Sequence, residues 1–263
     1  MVEPEGNASP REGAPAVQAS GLGYRFPDGR WAFRGIDLSL WAGEIALLAG
    51  RNGAGKTILA KHLAGLITPT EGRVLVSGIE LGRIHGNLAA SIGYVFQDAR
   101  LQTVGETVLD DALFGPTNLG VDAAEARERA LYSLSACGLA EKTNRFVHTL
   151  SGGEMRRLAI AGVLALSPRA VILDEPFANL DMEGVRSVLR IVQNMAKAAI
   201  AVLIVTHEIE KALGLSRTFL IMDEGKIVLS GEPSSILAAG VESFGLRDPF
   251  RPVNRVEDLR WID

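Results

Sequence analysis

Short apolar segments alternate with longer segments of mixed polarity along most of the chain. Three of them, Ile45–Ala49, Ala170–Leu173 and Ile200–Val205, are apolar at every position, which is typical of parallel strands covered on both faces. Apolar and polar residues alternate in Ile36–Leu40, which predicts a strand with one buried face. Further strands are predicted at Val17–Tyr24, Val74–Val76, Ile92–Phe96 and, as the arms of a hairpin, Phe219–Met222 and Ile227–Leu229.

Helix-forming segments lie between these strands. Helices are predicted at Lys56–Ala64, Asp122–Ala136 and Val185–Ala196. From Val104 to Leu150 a mostly helical stretch interrupts the alternation of strands and helices, which resumes afterwards. The order predicts an α/β fold with a mainly parallel sheet, into which a helical subdomain of about residues 98–157 is inserted.

The two ends of the chain differ in composition from the middle. Residues 1–16 are rich in Pro, Glu and Gly, which predicts a flexible tail. Pro249, Pro252 and the charges near the end predict a loosely attached tail over residues 241–263. One domain, residues 17–240, is expected between them.

Composition and charge narrow the function classes. Hydrophobic residues make up 47% and charged residues 22%, as in ordinary globular proteins. The net charge of −4 argues against nucleic-acid binding through a broad basic face. The single cysteine, Cys137, excludes an intrachain disulfide and fits a buried thiol in a reducing compartment. No apolar run reaches the roughly 18 residues of a spanning helix, and the start has no secretory signal pattern. A cytoplasmic protein is predicted, with any membrane role exerted through a partner.

A glycine-rich turn follows the apolar strand Ile45–Ala49 and opens the first predicted helix. It fits the phosphate-loop pattern, in which glycines let backbone N–H groups face a phosphate. Lys56 is expected to contact the β- and γ-phosphate oxygens, and the Thr57 hydroxyl to bind Mg²⁺. The pattern comprises Gly50, Arg51, Asn52, Gly53, Ala54, Gly55, Lys56 and Thr57.

A second glycine turn, Leu150–Glu154, also opens a helix. The start of a helix presents unpaired N–H groups and partial positive charge, which suit a phosphate. Because one peptide can hardly use both turns on the same nucleotide, we hypothesise that a second copy of the chain, or a relative, completes the site.

Polar residues at strand ends supply candidate chemistry. Asp174 closes a buried strand on the side where α/β sheets bind ligands, so it can hold Mg²⁺ through water, and Glu175 can polarise the attacking water. His207 follows another buried strand and is interpreted as a γ-phosphate sensor, the alternative being a structural histidine. Gln97 fits a contact to metal or water as well as it fits a surface glutamine. Tyr24 could stack on adenine or belong to the core or rim.

In this order, the residues resemble the ATP-binding subunit of an ABC transporter, over about Val17–Pro233. The resemblance implies a P-loop ATPase core with an N-terminal antiparallel β part. ATP and Mg²⁺ are then the implied cofactors, with ATP held between the phosphate loop of one copy and the Ser151–Gly153 turn of the other in a head-to-tail dimer. The implied nucleotide contacts are Tyr24, Gly50–Ile58, Gln97, Ser151, Gly152, Gly153, Glu154, Asp181 and His207. The implied metal contacts are Thr57, Gln97 and Asp174, and the implied catalytic residues are Glu175, His207, Gln97 and Lys56.

A narrower resemblance is to the ATPases of energy-coupling factor transporters. It rests on Tyr94–Gln97, Gln102, Ala112–Gly120 and Met155–Gly162. It implies import of a vitamin or of cobalt or nickel ions. It also implies a membrane subunit docked near the segment after Gln97, and a peripheral position on the cytoplasmic face of the membrane.

The chain departs from the usual family pattern at several positions. Asp98–Gln102 replaces Asn-Pro-Asp-Asp-Gln, and Glu154 replaces glutamine at the end of the second turn. Ile58 stands where Ser or Thr is usual, Met182 where Pro is usual, and Phe177–Asn179 replaces Thr-Ala-Gly or Ser-Ala-Leu. None of these changes removes a catalytic group, so ATP hydrolysis is expected.

Three alternatives are weighed against a transport ATPase. A soluble ABC ATPase, for example in cofactor assembly, would share every motif. A P-loop kinase or GTPase is disfavoured because the chain has no Asn-Lys-x-Asp motif, and because Leu150–Glu154 would be unexplained. A non-catalytic regulatory subunit would be distinguished by its lack of ATP turnover.

Overall fold

The computed structural model describes residues 14–81 and 91–250. Most of the predicted N-terminal tail and residues 251–263 of the predicted C-terminal tail therefore lie outside the described residues. Within the described ranges the strands are β1 Val17–Arg25, β2 Trp31–Leu40, β3 Ile45–Ala49, β4 Glu71–Val76, β5 Ile79–Glu80, β6 Ile92–Val95, β7 Ala170–Asp174, β8 Ala201–Val205, β9 Thr218–Asp223 and β10 Lys226–Gly231. The helices are α1 Lys56–Leu63, α2 Val108–Asn118, α3 Ala123–Ala136, α4 Gly152–Leu164, α5 Met182–Lys197, α6 Ile209–Ala212 and α7 Pro233–Ala238.

The described strands form two sheets. The larger has six strands in the order β10-β9-β3-β8-β7-β6, all pairs being parallel except the β9–β10 hairpin. The smaller is antiparallel, with the order β2-β1-β4-β5. The predicted α/β fold with a mainly parallel sheet and an N-terminal antiparallel part is confirmed.

The wholly apolar strands lie between two hydrophobic cores. In β3, Leu47 and Ala49 belong to the core that includes residues of α2 to α5, whereas Ala46 and Leu48 belong to the core shared with α1 and the antiparallel sheet. Because successive side chains point to opposite faces, a strand with a core on each side needs an apolar residue at every position. The same alternation occurs in β7 and β8.

Strand β2 begins at Trp31, five positions before the start predicted from the pattern. Leu22 of β1 pairs with Ile36, and Tyr24 pairs with Phe33, so the register shifts between these pairs. A shift of this kind breaks the period of two in the sequence. The alternation therefore marks only the second half of the strand.

The helical insertion consists mainly of α2, α3 and α4, which pack on one another. Its predicted end at residue 157 falls inside α4, which continues to Leu164 and contacts β6. One continuous helix thus carries the insertion back onto the parallel sheet. A helix that packs on both the insertion and the sheet leaves no composition change at the boundary.

The chain stays packed beyond the predicted tail boundary at 241. Val241 and Leu246 are buried in the main core, and the carbonyl of Ser243 accepts a hydrogen bond of 2.8 Å from Arg51 Nη2. The segment to Leu246 is therefore attached to the domain, contrary to the prediction of a loose tail from 241.

Candidate nucleotide site

The phosphate loop joins β3 to α1 in a conformation that glycine alone accommodates. Gly50 has a φ of 139°, and a Cβ there would lie 2.0 Å from the carbonyl oxygen of Met222. Gly55, with a φ of 104°, is the N-cap of α1. This helix start has no side-chain cap and no acidic residue in its first turn. Its N–H groups and positive dipole end are therefore available to an anion.

Lys56 lies buried within the loop. Its Nζ donates hydrogen bonds to the carbonyl oxygens of Gly50 at 2.7 Å and Arg51 at 2.9 Å. Burial lowers the pKa of Lys56, while the charges of Glu175 and Asp174 act in the opposite direction. A cation held by neutral carbonyls in a partly dehydrated setting gains by exchanging them for phosphate oxygens.

The other loop residues differ in exposure. Asn52, Gly53 and Thr57 are exposed, whereas Ala54 is buried and Ile58 packs against the core shared with α1. The usual hydroxyl at position 58 is thus replaced by an apolar side chain with a packing role.

Asp174, at the end of β7, is 3% exposed and carries two hydrogen bonds. Its Oδ1 accepts from Thr57 Oγ1 at 3.3 Å and its Oδ2 accepts from the Tyr94 hydroxyl at 2.7 Å. Burial raises the pKa of Asp174, and the hydrogen bonds from Tyr94 and then Thr57 lower it. Tyr94 is a site residue that the sequence did not reveal, because every residue of β6 is buried and apolar neighbours mask it.

The oxygens of Thr57 and Asp174 fit a magnesium ion. Magnesium binds hard oxygen ligands and uses one or two protein groups, completing its shell with phosphate and water. Among the described residues, no group of three or more His, Cys, Asp or Glu is arranged to hold a metal ion. Gln97 lines a cavity of about 690 Å³ together with Thr57 and Asp174.

Glu175 and His207, predicted separately, lie in contact. The Oε1 of Glu175 is 2.9 Å from His207 Nδ1, and its Oε2 accepts a hydrogen bond of 2.9 Å from Thr206 Oγ1. Because a carboxylate only accepts, the proton lies on Nδ1 of His207. Glu175 also has a φ of 46°, a left-handed conformation that is strained for this residue type. The backbone and the end of β8 together fix the direction of the carboxylate.

The second glycine turn opens α4 with a complete capping box. Ser151 is the N-cap; its Oγ accepts from the Glu154 N–H at 3.3 Å, and Glu154 Oε2 accepts from the Ser151 N–H at 2.8 Å. Glu154 is also ion-paired with Lys142. The bond from Lys142, and then those from Ser151, lower the pKa of Glu154 to about 2.

Ser151 and Gly153 line a cavity of about 490 Å³ that Asp181 also lines. Asp181 caps α5 by accepting from the Gly184 N–H at 2.8 Å. Among the described residues, no hydrogen bond joins the Ser151–Gly153 turn to the phosphate loop, although Gly152 lines both this cavity and the one beside Thr57. Within the described part of one chain the two predicted phosphate-binding turns are thus not hydrogen-bonded to each other, although both reach one cavity.

Two other features concern Tyr24 and Arg156. The ring of Tyr24 is half-buried, 4.5 Å from the ring of His62 and 5.4 Å from that of Phe26.

The buried guanidinium of Arg156 donates to the carbonyl oxygens of Phe96 at 2.6 Å and Gln97 at 2.5 Å. It links the helix that begins at the second glycine turn to the segment carrying Gln97, a connection that the sequence did not indicate.

A phosphate loop between a buried parallel strand and a helix, with Asp174 at the end of a nearby strand, defines a P-loop nucleoside triphosphatase. Within that class, the Leu150–Glu154 turn and the helical insertion indicate an ABC ATPase. The family model described as ABC transporter matches residues 33–178. The chain belongs to the ABC transporter ATP-binding family and is an ATPase.

Relatives of known type support this assignment. The cobalt import ATP-binding protein CbiO of Rhodobacter capsulatus is 37% identical over 240 residues, which cover 89% of this chain and 86% of the relative. The energy-coupling factor transporter ATP-binding protein EcfA of Methanosphaera stadtmanae is 36% identical over 218 residues, covering 82% and 78%. The structure of CbiO1 from Clostridium perfringens, part of the transporter complex CbiONQ, has a TM-score of 0.78 at 33% identity and covers 86% of this chain and 91% of that one. The resemblance to ATPases of the energy-coupling factor type is confirmed.

None of the helices described in the structure is both long and apolar enough to cross a membrane.

Proposed function

We propose that this chain powers an importer of the energy-coupling factor type, which takes up a vitamin or a transition-metal ion. The relative named cobalt import ATP-binding protein CbiO supports a metal-ion cargo, and the relative named energy-coupling factor transporter ATP-binding protein EcfA supports the transporter type. The observation that carries the proposal is that one chain has two helix starts suited to phosphate, with no hydrogen bond between them among the described residues. Lys56, Asp174 and Glu175 lie on one side, and the Ser151–Gly153 turn lines another cavity with Asp181. Two copies arranged head to tail would bring unlike halves together around each ATP.

Binding of ATP would close this dimer. The triphosphate enters the phosphate loop, where Lys56 exchanges the carbonyls of Gly50 and Arg51 for phosphate oxygens. The γ-phosphate then also meets the N–H groups at the start of α4 in the second copy, near Ser151. Magnesium, when bound by Thr57 and Asp174, would neutralise charge on the phosphates. Each nucleotide thus adds contacts to both copies, and its affinity favours the closed state.

Glu175 would orient the attacking water. Its carboxylate has lone pairs left after binding Thr206 and His207, and its position is fixed by both. In its neutral form, with the proton on Nδ1, His207 offers only an acceptor at Nε2. To donate to the γ-phosphate, His207 would have to leave Glu175 or gain a second proton. We propose that His207 changes its hydrogen-bond partner when the dimer closes, from the Glu175 carboxylate to the γ-phosphate. The carboxylate is then free to bind the attacking water.

An exposed apolar surface after Gln97 would receive the membrane subunit. The side chains of Leu101, Val104 and Phe146 are 80%, 57% and 54% exposed. Phe146 and Met155 line a groove of about 690 Å³ together with Arg100 and Thr103, the chain neighbours of Leu101 and Val104. Large exposed apolar side chains grouped around a groove are typical of a protein interface. This surface favours the transport ATPase over a soluble ABC ATPase.

The variant Glu175→Gln tests the enzymatic part of the proposal. It keeps the hydrogen-bonding shape but removes the charge that polarises water, so ATP should bind with unchanged affinity and hydrolysis should fall about 100-fold or more. The variant should accumulate as a dimer in ATP and return to a monomer in ADP, as measured by light scattering. Full turnover, or a strict monomer at saturating ATP, would refute the proposal.

The docking surface is tested by co-purification. The wild-type chain should retain a membrane protein with several spanning helices in detergent, and Leu101→Asp combined with Phe146→Asp should lose it while keeping ATPase activity. Tyr132→Asp is the matched control, because Tyr132 is 75% exposed on α3. Equal retention by all three proteins would exclude this surface.

A further inference from the structure

The second glycine turn, Leu150–Glu154, is called the signature turn below. It contains a carboxylate, although binding the γ-phosphate of a second copy calls for positive potential there. Glu154 is in the first turn of α4, three residues after the N-cap Ser151. Uncompensated, its charge would oppose the attraction of the helix start for the γ-phosphate of a second copy. The family pattern has an uncharged glutamine at position 154. The repulsion of the γ-phosphate therefore arises only from the glutamate of this chain.

Lys142 supplies the missing charge. It is ion-paired with Glu154 Oε1, while the other carboxylate oxygen accepts from the Ser151 N–H. The side chain of Glu154 is 13% exposed and that of Lys142 is 31% exposed, so water screens the pair only in part. The depressed pKa of Glu154 agrees with a carboxylate that stays ionised beside a cation.

The position of Lys142 is fixed by the backbone rather than by the ion pair. Its N–H donates to the carbonyl of Leu139 at 2.9 Å, and its own carbonyl accepts from Arg145 at 2.9 Å. The next residue, Thr143, accepts at 3.0 Å from the N–H of Leu109 in α2. A short helical turn anchored to α2 thus presents the lysine to the start of α4.

No other cation is ion-paired with Glu154 among the described residues. Arg157 lies on the same helix and lines the same cavity, but its Nη1 donates to the carbonyls of Cys137 and Gly138 at 3.3 and 3.4 Å. Asp181 and Glu183 also line the cavity and add negative charge. Loss of Lys142 would therefore leave a carboxylate uncompensated beside the turn that receives phosphate.

We propose that Lys142 is a positioning and charge-compensating residue of the signature turn, which makes Glu154 compatible with binding the γ-phosphate of the opposite copy. The proposal rests on the ATP-driven dimer proposed above. Lys142 acts through Glu154 and does not itself bind ATP. Its loss should weaken ATP-driven dimerisation, and removal of the Glu154 charge should correct that loss.

The test measures dimer dissociation constants in ATP by sedimentation, in the Glu175→Gln background that prevents turnover. Lys142→Met should raise the dissociation constant of the dimer about 10-fold. The dimer has two equivalent nucleotide sites, and a loss of affinity of about 3-fold at each of them multiplies. Glu154→Gln leaves the positive charge of Lys142 unpaired beside the turn, so it should tighten the dimer, by up to about 10-fold. Lys142→Met combined with Glu154→Gln should return to within about 2-fold, since no uncompensated charge remains.

Controls separate this effect from folding and from failure of the dimer itself. Arg129→Met removes another ion pair of the insertion, that with Glu125, and should leave the dimer unchanged. ATP affinity of the monomer should be equal in all variants, because in the proposed dimer the turn meets the nucleotide bound by the opposite copy. An unchanged dimer in Lys142→Met would refute the inference alone. A double variant as weak as Lys142→Met would also refute it, since the lysine would then bind phosphate directly or serve only the fold. Absence of an ATP-dependent dimer in the Glu175→Gln background would instead refute the proposed function and this inference with it.

Discussion

The hydrogen bond between Tyr94 and Asp174 provides a quantitative test of how the acidic end of β7 is supported. In Tyr94→Phe the ring stays, with its edge contact to Phe96 at a centroid distance of 4.8 Å, and only the hydroxyl is lost. Asp174 is almost fully buried and would keep one bond, the longer one of 3.3 Å from Thr57. The substitution therefore isolates a single hydrogen bond to a buried carboxylate.

The expected cost follows from the geometry. A hydrogen bond to a charged group contributes about 1.5–3 kcal/mol, and this one is short at 2.7 Å. We expect the free energy of unfolding to fall by about 2 kcal/mol, measured by urea denaturation without nucleotide and with an unchanged m-value. In the Asp174→Asn background the acceptor is neutral, so the same substitution should cost only about 1 kcal/mol.

The control is Tyr132→Phe, which removes a hydroxyl from a side chain that is 75% exposed. Its effect should stay within about 0.5 kcal/mol. If Tyr94→Phe is equally mild, or if its cost is the same beside Asn as beside Asp, then the hydroxyl does not stabilise the carboxylate and the reasoning is refuted.

Three further predictions concern the loop, the link to Gln97 and the buried thiol. Gly50→Ala should weaken ATP binding at least about 100-fold, because its Cβ would lie 2.0 Å from the Met222 oxygen; fluorescence titration showing normal affinity would contradict this. Arg156→Met leaves the part-buried carbonyl oxygens of Phe96 and Gln97 without their charged donor and should lower the free energy of unfolding by about 2 kcal/mol in urea. Burial raises the pKa of Cys137 to about 12 from 9.0, so above pH 9 only the unfolded thiol ionises and stability is lost as pH rises. From pH 9 to pH 10 wild type should lose about 1 kcal/mol more than Cys137→Ala, and parallel pH curves would show that the thiol ionises freely in the fold.

Much of the fold was predictable because its signals are local. An apolar residue at every position of Ile45–Ala49 reflects the cores on both sides of β3, and the glycines that follow reflect a backbone path that other residues cannot take. The two phosphate-binding turns were predictable for the same reason, since the start of a helix can bind phosphate through its own N–H groups. Their roles in nucleotide contact and catalysis remain predictions.

Boundaries were less predictable than the elements themselves. The register shift of β2 hid its first half, and α4 crosses the predicted end of the insertion without a break. In both places pairing or packing with another element decides the structure. The segment to Leu246 likewise owes its position to contacts with the main core.

The sequence by itself determined which chemical groups this ATPase has, and the order in which the chain presents them. Only the tertiary structure decided which groups touch: Tyr94 with Asp174, Glu175 with His207, and Lys142 with Glu154. The first two contacts depend on the order β6-β7-β8 in the sheet, and the third on how a turn anchored to α2 meets the start of α4. Side chains interact over a few ångströms of space, and the spacing of residues along a chain does not specify such distances until the strands and helices have packed.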